Sequence, residues 1–102
     1  MKSFKCTLIT PQGNLFDSTS TSVAAPGAEG RFQVLAGHEH IMAILKKGVL
    51  KIKAETAELF FALDSGVLEV DGNHDVVILA DKALKAESEA DAQQKILELE
   101  AK

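Results

Sequence analysis

Two textures divide the chain, and they meet near Asp81. Before that point, β-branched and aromatic residues alternate with polar ones, and glycine or proline interrupts every several residues. That is the pattern of short strands joined by turns. Phe4, Cys6 and Leu8 alternate with Lys5, Thr7 and Ile9, which predicts an opening strand, and Pro11-Gln12-Gly13-Asn14 supplies a turn after it. Leu15-Phe16 is a short apolar pair, Thr19 to Ala25 reads as an extended segment, and Pro26-Gly27-Ala28-Glu29-Gly30 reads as a loop leading to a strand from Arg31 to Leu35. Beyond Gly48, Leu50, Ile52 and Ala54 fall on one face with Lys51 and Lys53 on the other, a half-solvated strand. Leu59 to Leu63 is continuously apolar and is predicted to be buried on both sides. Val67, Glu69 and Asp71 oppose Leu68 and Val70, and Asp71-Gly72-Asn73 then turns the chain into a partner strand from Asp75 to Ala80.

After Asp81 the glycines and prolines stop, and Ala, Glu, Lys, Gln and Leu take over. These residues favour helix. Ser88, with Asp91 three residues on, resembles a capping box, and Ala92, Ile96 and Leu99 form one apolar stripe. The stripe is thin, so the helix must pack against something or fray. The pattern predicts a β-sandwich over residues 1–82 and a helical segment over 83–102, a mainly β fold closed by one short α-helix.

Composition narrows the classes. The 102 residues, 46% hydrophobic and 25% charged, suit one soluble globular domain, small enough to gain from a partner surface. A net charge of −4 argues against nucleic acid, because phosphate binding needs a clustered positive field. No basic cluster exceeds Lys46-Lys47 with Lys51 and Lys53. The single cysteine, Cys6, makes neither an internal disulfide nor a thiolate-rich zinc site, and a reducing compartment is the simpler expectation. Met1 to Thr10 matches neither a signal peptide nor a spanning helix, so membrane association is expected only through other proteins.

One cluster carries metal-ligand chemistry. In Gly37-His38-Glu39-His40, the two histidines on a strand would project to one face at i, i+2, as paired histidines do in cupins. The rest of such a site is missing, since the next acidic residue after Glu39 is Glu55 and His74 sits in a hairpin turn. Cys6 lies within a strand, and Ser18, Ser20 and Ser22 have no spaced base, so nucleophilic catalysis is not indicated. No glycine-rich turn leads into a helix opening with Lys-Ser or Lys-Thr. Asp64, Glu69, Asp75 and Asp81 read as solvated faces. No metal site, cofactor or catalytic set is predicted.

Thr10-Pro11, Gly13, Leu15-Phe16, Val23, Pro26-Gly27, Gly30, Phe32, Val34-Leu35, Gly37-His38, and Gly48 with Leu50 and Ile52, taken in order, resemble the ε subunit of the F-type ATP synthase. Gly66-Val67-Leu68-Glu69-Val70, Asn73, and Val76 through Leu79-Ala80-Asp81 resemble that family's closing hairpin. The resemblance covers residues 3 to 91.

It implies a flattened β-sandwich of about ten strands followed by a helical part. It also implies a non-catalytic rotor subunit of the central stalk, which docks on the γ subunit and the c-ring and couples proton translocation to ATP synthesis. The α/β hexamer would be met only indirectly, at the cytoplasmic face of a bacterial plasma membrane. On that resemblance His38, Glu39, His40 and Met42 are expected at the γ subunit, and Ala28, Glu29 and Arg31 at the c-ring. A small cupin-like metal enzyme using His38 and His40 is the competing reading.

Three features depart from the family. His40 stands where a proline is usual, restoring an N–H donor. Ser65-Gly66-Val67 replaces a usual Gly-Gly-Phe. The stretch from Ser88 to Lys102 suffices for one helix of about 20 Å where the family has a helical hairpin. The expectation is a chain that couples the rotor without binding ATP or latching the enzyme, its helix folded back on the sandwich through Ala92, Ile96 and Leu99.

Overall fold

The structure, a computed structural model, describes residues 2–100; Met1, Ala101 and Lys102, the ends of the two predicted segments, lie outside the described residues. Ten strands precede one helix. They are β1 (Phe4–Thr10), β2 (Gly13–Ser20), β3 (Ser22–Gly27), β4 (Gly30–Leu35), β5 (Ile41–Leu45), β6 (Gly48–Lys53), β7 (Glu58–Leu63), β8 (Gly66–Val70), β9 (Val76–Ala80), β10 (Ala83–Ala86) and α1 (Glu89–Glu100). They form one sheet in the order β10-β7-β6-β3-β5-β8-β9-β1-β2, with β4 paired to β3. Strands β3 and β5 share only the Gly27–Leu45 register pair, so the sheet folds there into two layers. One layer is β5-β8-β9-β1-β2 and the other is β10-β7-β6-β3-β4.

The inner faces follow the sequence alternation. Phe4, Cys6 and Leu8 of β1 meet Leu68 and Val70 of β8, Val23 and Ala25 of β3, Leu50 and Ile52 of β6, and Phe61 and Leu63 of β7 in one buried cluster. Lys51 and Lys53 point outward as predicted. In β7 the double burial holds for Phe61, Ala62 and Leu63, whereas Leu59 and Phe60 are half-buried.

Three local readings change. Residues 19–25 are not one extended segment, because β2 ends at Ser20 and β3 begins at Ser22. Pro26 and Gly27 belong to β3, leaving only Ala28 and Glu29 as the turn. A Cβ on Gly27 would lie 2.6 Å from the Gly30 carbonyl oxygen, which is why the hairpin closes so tightly. The turn after β8 falls at Asp71-Gly72-Asn73 as expected, and its left-handed residue is His74, at φ 66°. Finally, the sheet continues past Asp81: β10 pairs antiparallel with β7, although its alanines, leucine and lysine are helix formers. The edge of β7 would otherwise be left unpaired, and ladder formation there outweighs propensity.

The two outer faces differ. On the second layer, Ala92 and Ile96 of α1 cover Val49, Phe60 and Ala86, as the folded-back helix required, and Leu99 is half-buried. Its N-terminus is closed by Ser88, whose Oγ accepts from the Asp91 N–H at 3.0 Å, while Asp91 Oδ2 accepts from the Glu87 N–H at 3.0 Å. Nothing among the described residues covers the outer face of the first layer.

Candidate functional site: an uncovered sheet face and its two ends

Register places two rows on that face. Ile44, Val67, Leu79 and Ile9 are consecutive partners across β5, β8, β9 and β1, and Met42, Glu69, Val77 and Thr7 form the row beside them. Met42 is 68% exposed, Ile44 67% and Leu79 52%. Outward positions of a solvated antiparallel sheet are ordinarily polar. Here one carboxylate, Glu69, sits among apolar neighbours. Apolar side chains clustered on an exposed face mark an interaction surface.

Of the residues expected at the γ subunit, Met42 lies on this face. His38, Glu39 and His40 lie in the corner before β5, at one end of it. That corner is a loop and not a strand, so the two histidines do not share a strand face as the metal reading required. The His38 ring donates from Nδ1 to the Glu39 carbonyl at 2.9 Å, and the His38 carbonyl accepts from Nδ1 of His74 at 2.9 Å. His40 Nε2 lies 3.4 Å from Glu69 Oε2. No group of three or more His, Cys, Asp or Glu among the described residues is placed to hold a metal ion. The cupin-like alternative therefore finds no support.

The opposite end carries the other expected residues. Ala28 and Glu29 are exposed at the β3–β4 turn, and the Ala28 N–H donates to the Ile44 carbonyl at 2.8 Å. Arg31 is less free than its exposure suggests, because its guanidinium donates to the Val49 carbonyl at 2.8 Å. A shallow depression of about 590 Å³ runs from Gly27, Ala28, Glu29 and Arg31 to Met42 and Ile44. Met42 thus borders residues assigned to the other partner, and the two expected contact sets meet along β5.

Ile44, Val67 and Leu79 were missed by sequence reasoning. The signal was present in Ile41 to Leu45, five apolar residues in a row where a half-solvated strand alternates. Among the described residues the one strongly displaced group is internal: burial pushes the Cys6 thiol up to about 12, against a lesser lowering by the Ser20 hydroxyl. At the helix start, the Glu87 N–H and then the Lys95 charge hold the Asp91 carboxyl below its ordinary value.

Comparison with known proteins agrees with this architecture. The family model of the ATP synthase Delta/Epsilon chain beta-sandwich domain matches residues 3–86. The ATP synthase epsilon chain of Helicobacter acinonychis (strain Sheeba) is 37% identical over 91 residues, 89% of this chain and 73% of that one. That of Chlorobium limicola is 37% identical over 81 residues, 78% of this chain and 92% of the relative. Among solved structures, a chain of the Euglena gracilis mitochondrial ATP synthase, in its OSCP/F1/c-ring assembly, superposes with a TM-score of 0.79 at 22% identity. The match covers 97% of this chain and 64% of that one. A chain of the Tetrahymena thermophila mitochondrial ATP synthase central stalk/c-ring structure gives a TM-score of 0.69 at 17% identity over 82% of this chain, and both show the same fold. With a family model spanning nearly all of the sheet and relatives of this identity, the chain belongs to the ATP synthase delta/epsilon family, among its epsilon chains.

Proposed function

We propose that this chain works as a non-catalytic rotor subunit of the central stalk, docking on the γ subunit through the outer face of β5, β8 and β9 and meeting the c-ring through the β3–β4 turn. The observation that carries the reading is the asymmetry of the two outer faces. One is covered by the chain's own helix, and the other leaves Met42, Ile44 and Leu79 in water. Burying such side chains contributes about 25 cal/mol per Å² of apolar surface removed from water, a gain only a partner surface supplies here. In this reading His38, Glu39 and His40 form the polar rim beside the apolar centre, with Met42 within it. Glu29 offers an anion to the polar loops of the c-ring, Ala28 keeps the turn low, and Arg31 braces it against β6.

Epsilon chains are parts of a membrane-associated complex, and no described helix is long and apolar enough to cross a membrane. The finer setting we infer is a peripheral position at the cytoplasmic face of a bacterial plasma membrane, in a proton-translocating synthase. Contact with the α/β hexamer is indirect, through γ.

The test is binding of purified chain to its own γ subunit. Ile44→Asp and Leu79→Asp place a charge at the centre of the face and are expected to weaken binding at least tenfold while the circular dichroism spectrum and unfolding midpoint stay near those of the parent. Unchanged affinity in both variants sinks the docking face.

A further inference from the structure

Across β5, β8 and β9 the apolar face contains one acidic group, Glu69, and the chain supplies that group with a titratable neighbour; the next carboxylate in the row, Asp17, lies on β2 beyond Thr7. Glu69 stands between Met42 on β5 and Val77 on β9, its partners in register, with Val67 two residues away on the same side. The Glu69 side chain is 40% exposed and that of His40 65%. A docked partner would strip the remaining water, and a desolvated carboxylate without a counter-charge is costly. His40 reaches it from the β4–β5 corner at 3.4 Å.

Apart from Glu39, the other charged groups nearby are already engaged or distant. Asp71 spends Oδ1 on the Asn73 and Asp75 N–H groups of its own turn, and Asp75 Oδ1 accepts from the Lys5 N–H. His38 and His74 are tied to the Glu39 and His38 carbonyls. Glu39 is exposed beside His40 in the same corner. The Lys5 side chain belongs to β1, two strands from β8.

We propose that docking of this face favours protonation of His40, so that a His40 imidazolium neutralises Glu69 inside the interface and binding tightens as pH falls from 8 to 6. A neutral imidazole leaves the carboxylate uncompensated, whereas an imidazolium interacts with it more strongly once water is excluded. Imidazole changes charge within this range, which puts the link at working pH. The inference rests on the docking face proposed above and commits to γ as the occupant.

The experiment is titration calorimetry of the full chain against its own γ subunit at pH 6.0, 7.0 and 8.0, in two buffers of different ionisation enthalpy at each pH. Parent chain is expected to take up a fraction of a proton on binding near neutral pH, and its Kd to rise with pH by no more than tenfold per unit, the limit for one linked proton. His40→Gln is expected to lose that component of the slope and to bind at pH 6.0 about as the parent does at pH 8.0. His40→Lys carries a permanent cation and is expected to hold at pH 8.0 the affinity the parent shows at pH 6.0. Glu69→Gln removes the need for a counter-charge and is expected to flatten the profile without weakening binding at pH 8.0.

A His40→Gln profile parallel to the parent's, or His40→Lys behaving as His40→Gln does, overturns the inference. Failure of the docking face itself is separately visible, because Ile44→Asp would then bind like the parent at every pH.

Discussion

The ring of His74 donates from Nδ1 to the carbonyl oxygen of His38 across 36 residues of sequence, at 2.9 Å. This bond ties the β8–β9 turn to the Gly-His corner and so fixes one end of the proposed docking face. His74 holds φ at 66° to make it, a left-handed conformation that costs a residue bearing a Cβ roughly 1 kcal/mol. Two variants separate these terms. His74→Ala loses the bond and keeps the backbone cost, and is expected to destabilise the chain by about 1 kcal/mol. His74→Gly loses the bond and relieves the backbone, and is expected to lie within about 0.5 kcal/mol of the parent. Urea unfolding checks both; equal losses would mean that the left-handed residue is not strained.

The β3–β4 turn gives a functional prediction. Glu29 is exposed and carries no bond that holds the hairpin together, since the turn is closed by backbone and by Arg31 on the Val49 carbonyl. Glu29→Lys is therefore expected to change stability by less than about 0.5 kcal/mol. If the turn meets the c-ring, the same variant should lower ATP-driven proton pumping in reconstituted vesicles while ATP hydrolysis continues. Full pumping by Glu29→Lys would assign the turn to solvent.

How much of this was legible in the sequence follows from what each strand faces. Lys5 and Thr7 separate Phe4, Cys6 and Leu8 because β1 has a wet side and a dry side, and Glu69 separates Leu68 and Val70 likewise. β5 hid for the opposite reason. Its outward residues Met42 and Ile44 are as apolar as its inward Ile41, Ala43 and Leu45, so period-two reading had nothing to grip. The same defect that concealed the strand marks its outer side as a surface. β10 was concealed differently, because Ala83 to Ala86 carries helix-forming residues and only the free edge of β7 decides its conformation. Ser88 and Asp91, by contrast, announced the helix start from spacing alone.

The helix should be separable from the sheet. Ala92 is fully buried against Val49 and Ala86, so Ala92→Glu forces a charge into that contact and is expected to undock α1. Ser88→Ala removes the cap and is expected to cost about 1 kcal/mol, expressed mainly as fraying of the first turn. Hydrogen exchange reads both: α1 amides lose protection while those of β1 and β8 keep it. Loss of protection throughout the sheet would show that α1 is part of the folding core.

Gly66 is required by close approach, since a Cβ there would run into the Leu79 carbonyl oxygen and the Ala80 Cα lies 3.0 Å away. Both obstacles are backbone, held in the β8–β9 ladder, and neither can step aside without breaking the Gly66–Ala80 and Val67–Leu79 pairs. Gly66→Ala is expected to cost more than about 2 kcal/mol. The loss should also reach the docking face, because Val67 and Leu79 occupy its centre. A thermal midpoint within two or three degrees of the parent would count against this packing.

Cys6 contributes to the loss of stability at alkaline pH. In the folded chain burial holds its thiol at about 12, raised from an ordinary 9.0. Between those values the unfolded chain releases the thiol proton and the folded chain keeps it, so the unfolded state binds fewer protons and stability falls as pH rises. The contribution is fully present below pH 9 and declines by about 1.4 kcal/mol per pH unit above it. The chain contains no tyrosine, which removes the other uncharged acid of that range. Cys6→Ala opens a small cavity and lowers stability at pH 7, yet it abolishes this titration. Guanidinium unfolding at pH 8.0, 9.5 and 11.0 is therefore expected to show the two proteins converging in stability as pH rises, while a thiol-reactive probe labels native parent chain at pH 8 no faster than the chain unfolds. Parallel stability curves, or rapid native labelling, would mean that water reaches the sulfur between β1 and the opposing layer.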